Sequence, residues 1–233
     1  YRQKNLNSNH IADLSLFTEK DKSSKNHFFY EFDKSLMVKG FDTSDINLKL
    51  QTTSHDTYLK SDRVESKLLN DNNIIENSLN FDLYSNNFSV NLETIVYEDL
   101  NKKNNDRYEY IFPRIALTKS FDNFNNLDGD LIFESDNLIR QYDTNILEKR
   151  NVNDFIFNSN SKKNKLGFVS SYDFLIRNTN SENKNTNFKD KKNYYMSGIY
   201  QFNSSLPLIK ENDNYQNIFK PRLSFKAAPN HTK

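Results

Sequence analysis

Apolar side chains recur at every second position through most of this chain, and a period of two fits only strands with one apolar and one polar face. Phe28, Tyr30, Phe32, Leu36 and Val38 form one such set, broken once at Lys34, against the mostly polar Phe29, Glu31, Asp33 and Ser35. The alternation runs on through Ile46, Leu48 and Leu50, then Leu79, Phe81 and Leu83, then Phe88, Val90, Leu92 and Val96. It returns in Ile115 and Leu117, in Leu131 and Phe133, and from Leu166 and Phe168 through Tyr172, Phe174 and Ile176. The last sets are Tyr194, Met196, Tyr200 and Phe202, then Leu223, Phe225 and Ala227. Between them lie stretches rich in Asn, Asp, Ser and Lys, at 21–26, 70–73, 85–87, 101–106, 158–164 and 178–192, which read as turns and loops. The pattern gives about twelve strands of roughly 9 to 14 residues, where soluble sheets average ~5 to 6.

Strand length selects among all-β architectures. A strand crossing a bilayer at its usual tilt needs ~9 to 11 residues, and alternating segments of that length separated by turns mark outer-membrane barrels. Composition agrees. Only 35% of the residues are apolar, against the ~45 to 50% of an ordinary soluble domain, and a barrel with a wet lumen needs no solid core. Disorder is disfavoured by 63 Leu, Ile, Val and Phe residues, 32 aromatics and a net charge of +1. The expected fold is therefore an antiparallel transmembrane β-barrel of outer-membrane type, of which residues 1–233 form an incomplete piece of one domain. The 37 asparagines read as the nucleotide bias of an AT-rich genome. The long loop at 178–192 against the two-residue turn at 86–87 suggests long outer loops and short periplasmic turns. The segment 53–62 then appears as a long connection on the short-turn side. Tyr108, Tyr110, Tyr194 and Tyr195 lie near strand ends, where aromatic girdles are expected.

The run Ser54-His55-Asp56-Thr57-Tyr58-Leu59-Lys60 resembles the S-D-D-T-Y-L-R stretch of the LPS-assembly family LptD, also called organic solvent tolerance protein. Val96-Tyr97-Glu98-Asp99-Leu100 is similar to that family's Y-F-Q-D-L strand end, and Tyr110-Ile111-Phe112-Pro113-Arg114-Ile115 to its strand start bearing L-P-x-I. Asn137-Leu138-Ile139-Arg140 resembles its N-x-x-R strand end. Ser205-Leu206-Pro207-Leu208, Phe219-Lys220-Pro221-Arg222 and Pro229-Asn230 resemble its W-P-L, x-x-P-x and S-P-N stretch, in the same order. His55 stands where the family usually has Asp, Lys60 replaces Arg, and Ser205 replaces a common aromatic. The resemblance implies the middle of a barrel wall that delivers lipopolysaccharide to the outer leaflet of the cell outer membrane. It implies as partners lipopolysaccharide, periplasmic bridge proteins, outer-membrane lipid and a plug lipoprotein of the LptE type. The family's amino-terminal jelly-roll domain, gate strands and cysteines do not occur in these residues.

Catalytic and metal chemistry finds little footing. There is no cysteine, and His10, His27, His55 and His231 show no metal-ligand spacing. Each reads as a solvated or lumen residue. Ser54, His55 and Asp56 are adjacent, and a triad is built by geometry that an adjacent tripeptide cannot supply. Gly40, Gly129, Gly167 and Gly198 are isolated, so no phosphate loop exists. Gly129 reads as a turn or a strand start, and Gly167 and Gly198 as strand-interior glycines. Pro113 and Pro221 read as residues near strand starts and Pro207 as one near a strand end. Lys102, Lys103, Lys189, Lys191 and Lys192 are interleaved with Asp and Asn, which gives no nucleic-acid footprint. They read as solvated loop residues, or as contacts to lipopolysaccharide phosphates. The expectation is no enzyme, no catalytic, cofactor or metal site, and no cofactor, with gate and ligand residues unassigned. The alternatives are a general outer-membrane porin or receptor, and a soluble β-rich surface binding module.

Overall fold

Backbone hydrogen bonds join the alternating segments into one antiparallel meander. The computed structural model describes residues 1–18, 24–121, 128–185, 191–212 and 215–229. A short β1 (Arg2–Lys4) leads into β2 (Ser8–Phe17), β3 (Lys25–Ser35) and β4 (Thr43–Thr53), and a four-residue helix α1 (Tyr58–Ser61) follows. Next come β5 (Ile74–Ser85), β6 (Phe88–Asp99), a 3-10 turn at Asn104–Arg107, β7 (Tyr108–Phe121), β8 (Gly129–Tyr142) and β9 (Ile146–Ser159). The chain continues as β10 (Lys162–Lys163), β11 (Val169–Lys184), β12 (Lys191–Ser205), the hairpin β13 (Leu208–Asn212) and β14 (Tyr215–Phe219), and β15 (Arg222–Ala227). The main sheet has 13 strands in the order β1-β2-β3-β4-β5-β6-β7-β8-β9-β11-β12-β15, with β10 paired to β11. The all-β, antiparallel expectation holds. The order is linear among the described residues.

The chain divides into two compact units. One comprises Tyr1–Leu117, Asp136–Asn151 and Ser181–Asn193; the other comprises Thr118–Ser135, Val152–Asn180 and Tyr194–Lys233.

In the first unit the register sorts side chains by polarity. Directly opposed residues share a face, so the row Phe32, Leu48, Leu79 and Thr94 and the row Ile46, Phe81 and Leu92 lie on one side. Tyr30 opposite Ala12 and Leu50, and Phe28 opposite Leu14, extend that apolar side. Leu14 on it is 73% exposed and Phe28, Leu50 and Leu79 are each 38% exposed, while Phe32, Ile46, Leu48, Phe81 and Leu92 are half-buried. The other side carries Asp33, Asn47, Asn80 and Glu93 in one row and Asp45, Asp82 and Asn91 in the next. Here the asparagines are bonded to acids and to each other. Asn47 Nδ2 donates to Asp33 at 2.9 Å, and Asn91 Nδ2 donates to both Asn80 and Asp82 at 2.7 Å. An amide both donates and accepts, so the asparagines bond to acids and to one another along these rows.

The unit's buried cluster forms where the chain after β4 folds back over the polar side. Phe29, Tyr58, Leu59, Leu68, Ile75 and Leu100 meet there. In the second unit, Phe157 is buried against Tyr172 and Phe174, Phe133 packs on Phe155, and Arg177 holds the buried Asp154 through two hydrogen bonds.

Several expectations are corrected. Residues 178–184 belong to β11 rather than a loop; Asn178 accepts amide bonds from Asn153 and Asn180, so pairing overrides the weak strand preference of asparagine. Successive strands run antiparallel, so the connections after β4 and β11 share one end, and 53–62 does not lie on the short-turn side. Leu166, Gly167 and Phe168 precede β11, and Gly167 adopts φ +90° in a turn where its N–H donates to the Asn164 carbonyl. Pro113 lies inside β7 rather than near its start. Of the solvated and lumen readings of His27, solvation fails, since the residue is 3% exposed. Gly129 does begin β8, the turn at 86–87 does join β5 to β6, and Pro221 does immediately precede β15. Asn230 and His231, and residues 19–23 and 186–190, lie outside the described residues.

Gly129 is required by close packing. A Cβ there would collide with the Asn158 carbonyl and sit 2.7 Å from the Phe157 ring. Gly129→Ala is expected to lower stability by about 1–3 kcal/mol through overpacking, read as a shift in denaturation midpoint. Gly198→Ala, whose Cβ would stand 3.8 Å from the Leu175 carbonyl, is expected to change it by less than about 0.5 kcal/mol.

Candidate functional site

The connection from Ser54 to Asn73 forms a cap on the polar side of the first unit. It starts with the Ser54 N–H donating to the Asn26 carbonyl at 2.9 Å, then turns into α1, which drives Tyr58 and Leu59 into the buried cluster. Gln51 clips the cap to the sheet. Its buried side chain donates to the Leu68 carbonyl and accepts the Glu76 N–H at 2.7 Å. Three polar ties fix the rim: Lys25 to Asp62 at 2.7 Å, Lys60 to Asn101 at 2.6 Å, and Arg107 to Asp56 at 2.7 Å.

Arg107, on the 3-10 turn, also bonds Glu98 at the end of β6, which accepts the Tyr108 hydroxyl at 3.2 Å as well. Burial disfavours the Arg107 charge, but the hydrogen bonds to Asp56 and Glu98 outweigh it and raise its pKa. Beside this latch opens a cleft of about 490 Å³ whose walls include Ile74, Tyr97, Tyr108, Arg140 and Tyr142. Arg140 bonds Glu109 at 2.7 Å and lies 4.1 Å over the Tyr142 ring. Lys102 bonds Asp143 at 2.8 Å, which raises the lysine pKa. Each cation of the cleft, Lys102, Arg107 and Arg140, is thus paired with a carboxylate, and the acids Asp99 and Asp106 line it as well.

Residues from segments quoted in the sequence meet here. Leu59 and Leu100 share the buried cluster, Asp56 reaches Arg107, Tyr97 and Arg140 line the cleft, and Tyr108 and Tyr110 stack at 6.1 Å. Ser54 Oγ lies 2.9 Å from His55 Nδ1, but Asp56 turns to Arg107, so the three do not form a relay. In the second unit, the Leu206 N–H donates to the Pro221 carbonyl at 3.1 Å, joining two more quoted segments. Among the described residues no group of three or more His, Asp or Glu side chains is placed to hold a metal ion. Gln51, Arg107 and the buried His27 had no signal in the sequence beyond residue type, because their partners are remote along the chain. The chain matches no family model and no curated protein.

Arg107→Met leaves Asp56 and Glu98 facing each other without a cation. It is expected to cost about 1–2 kcal/mol, discounted from a fully buried pair, and to speed protease cleavage within residues 60–67. The Asp62 carboxyl is held below the usual carboxylate range by its hydrogen bonds from Lys25 and then Ser61. Its folded pKa is the lower one, so its contribution is full above the ordinary value of about 3.9 and is lost as pH falls through the folded value. Cap proteolysis is expected to quicken below about pH 4, and Asp62→Asn to remove that component of the pH dependence.

Proposed function

We propose that the chain is part of the wall of an outer-membrane β-barrel that moves lipopolysaccharide to the outer leaflet, with the open apolar side of the sheet meeting lipid and the capped polar side facing the lumen. The observation that carries this is the apolar side across β2 to β6, interrupted at Lys34, which is exposed at Leu14, Phe28, Leu50 and Leu79 and half-buried at Phe32, Leu48 and Phe81. In water such a surface is a liability; in a bilayer it is the required one. Strands of 10 to 16 residues are long enough to cross the hydrocarbon at a tilt.

The lipopolysaccharide assignment draws on the ordered resemblance to the LptD family and on the cap and cleft at one end of the polar side. No step in this function needs a catalytic group: the lumen accepts sugars while acyl chains pass into lipid, driven by ATP hydrolysis in another protein. The plug lipoprotein and bridge proteins of that family are the partners this reading implies.

Two neighbours on β4 give the discriminating experiment. Leu48→Arg places a charge on the open apolar side and is expected to cost about 2–4 kcal/mol at the bilayer midplane, abolishing urea-resistant membrane association. Asn47→Arg, on the polar side, is expected to leave it intact. A soluble module would show no urea-resistant membrane association in the unaltered chain or in either variant. Affinity purification from outer membranes is expected to bring down lipopolysaccharide and a small lipoprotein; recovery of neither favours a general porin or receptor.

A further inference from the structure

A second cleft, of about 480 Å³, opens on the polar side of the first unit between β2, β3 and the cap. His27 forms its floor. The ring is 3% exposed and stacks on Phe29 at 4.5 Å, yet neither of its nitrogens has a hydrogen-bond partner among the described residues. A buried polar group left unpaired is destabilising, so an orphan of this kind asks for a partner. Nε2 stands 3.5 Å from Asp13 Oδ1 with no hydrogen bond between them, and Ser15 lies directly across the strand pair from His27. A carboxylate and a ring nitrogen thus face each other, and the neighbouring Ser15 hydroxyl, which accepts from the Tyr58 hydroxyl at 3.4 Å, keeps a second lone pair.

We propose that this cleft binds an organic cation, a primary ammonium carried on an aliphatic chain. An ammonium has three donors and no acceptor, which matches Asp13, His27 and Ser15. A metal ion is the weaker fit, since among the described residues no third ligand completes a set with His27 and Asp13. Leu16, Phe17 and Val64 supply apolar wall for methylenes, and Glu65 adds negative charge. The chain itself exhibits the chemistry: the Lys25 ammonium bonds Asp62 at 2.7 Å and lies 5.9 Å from the Tyr58 ring centroid, and both partners line this cleft. The site does not depend on what covers the apolar side, so it stands or falls separately from the membrane reading.

Titration calorimetry of the full chain with spermidine tests the site. Saturable one-to-one binding is expected, weakened about tenfold or more by Asp13→Asn, the loss of one charge-assisted hydrogen bond. His27→Phe, which keeps the stack on Phe29, is expected to weaken it as well, and Asp45→Asn, on the same side but outside the cleft, to leave it unchanged. In the unaltered chain, nuclear Overhauser contacts are expected between spermidine methylenes and Tyr58 and Val64; these need no variant to fold. Absence of saturable binding, equal binding by Asp13→Asn, or contacts elsewhere on the chain would overturn the proposal.

Discussion

Strand register is the constraint on which the other features rest. Because side chains alternate strictly, one slipped residue between β3 and β4 would exchange Phe32 for Asp33 opposite Leu48 and mix the two sides of the sheet. Held in register, the same strands give a side of Phe, Leu and Ile and a side of Asn, Asp and Glu. The cap, the latch at Arg107 and the two clefts beside them all sit on the polar side or at its end. Their positions follow from the pairing that puts His27 across from Ser15 and Glu76 across from Tyr97.

Asparagine takes a larger part than its genomic explanation suggests. Nucleotide bias accounts for the supply of 37 residues, and the amide accounts for where they are tolerated. Asn47, Asn80 and Asn91 bond across strands to acids and to one another, as do Asn137 and Asn151, and Asn153 and Asn178. A polar side built this way can be wide without being highly charged, in keeping with basic and acidic residues that nearly cancel.

The sequence made the strands legible wherever one period held. Ile46 to Leu50, Leu79 to Leu83 and Phe88 to Val96 fall within β4, β5 and β6, and the turn at 86–87 is where the asparagine pair put it. It failed where the phase shifts or the composition misleads. In β9, Val152 and Asp154 share a phase, as do Lys149 and Phe157, so no clean apolar set emerges; in β11 the run of Asn and Ser looks like a loop until its neighbours satisfy it. The cap was legible only as a connection. That Leu59 is buried with Phe29 and Leu100, or that Gln51 clips Leu68, depends on contacts between residues far apart in the chain.

The central claim is that the open apolar side meets acyl chains, and the absence of native tryptophan gives a clean probe of it. Single tryptophans placed by Leu79→Trp and Asn80→Trp sit at adjacent positions on opposite sides of β5. In bilayers carrying brominated acyl chains, the account predicts strong quenching at position 79 and little at position 80. Equal quenching at both positions, or none at position 79, would contradict it.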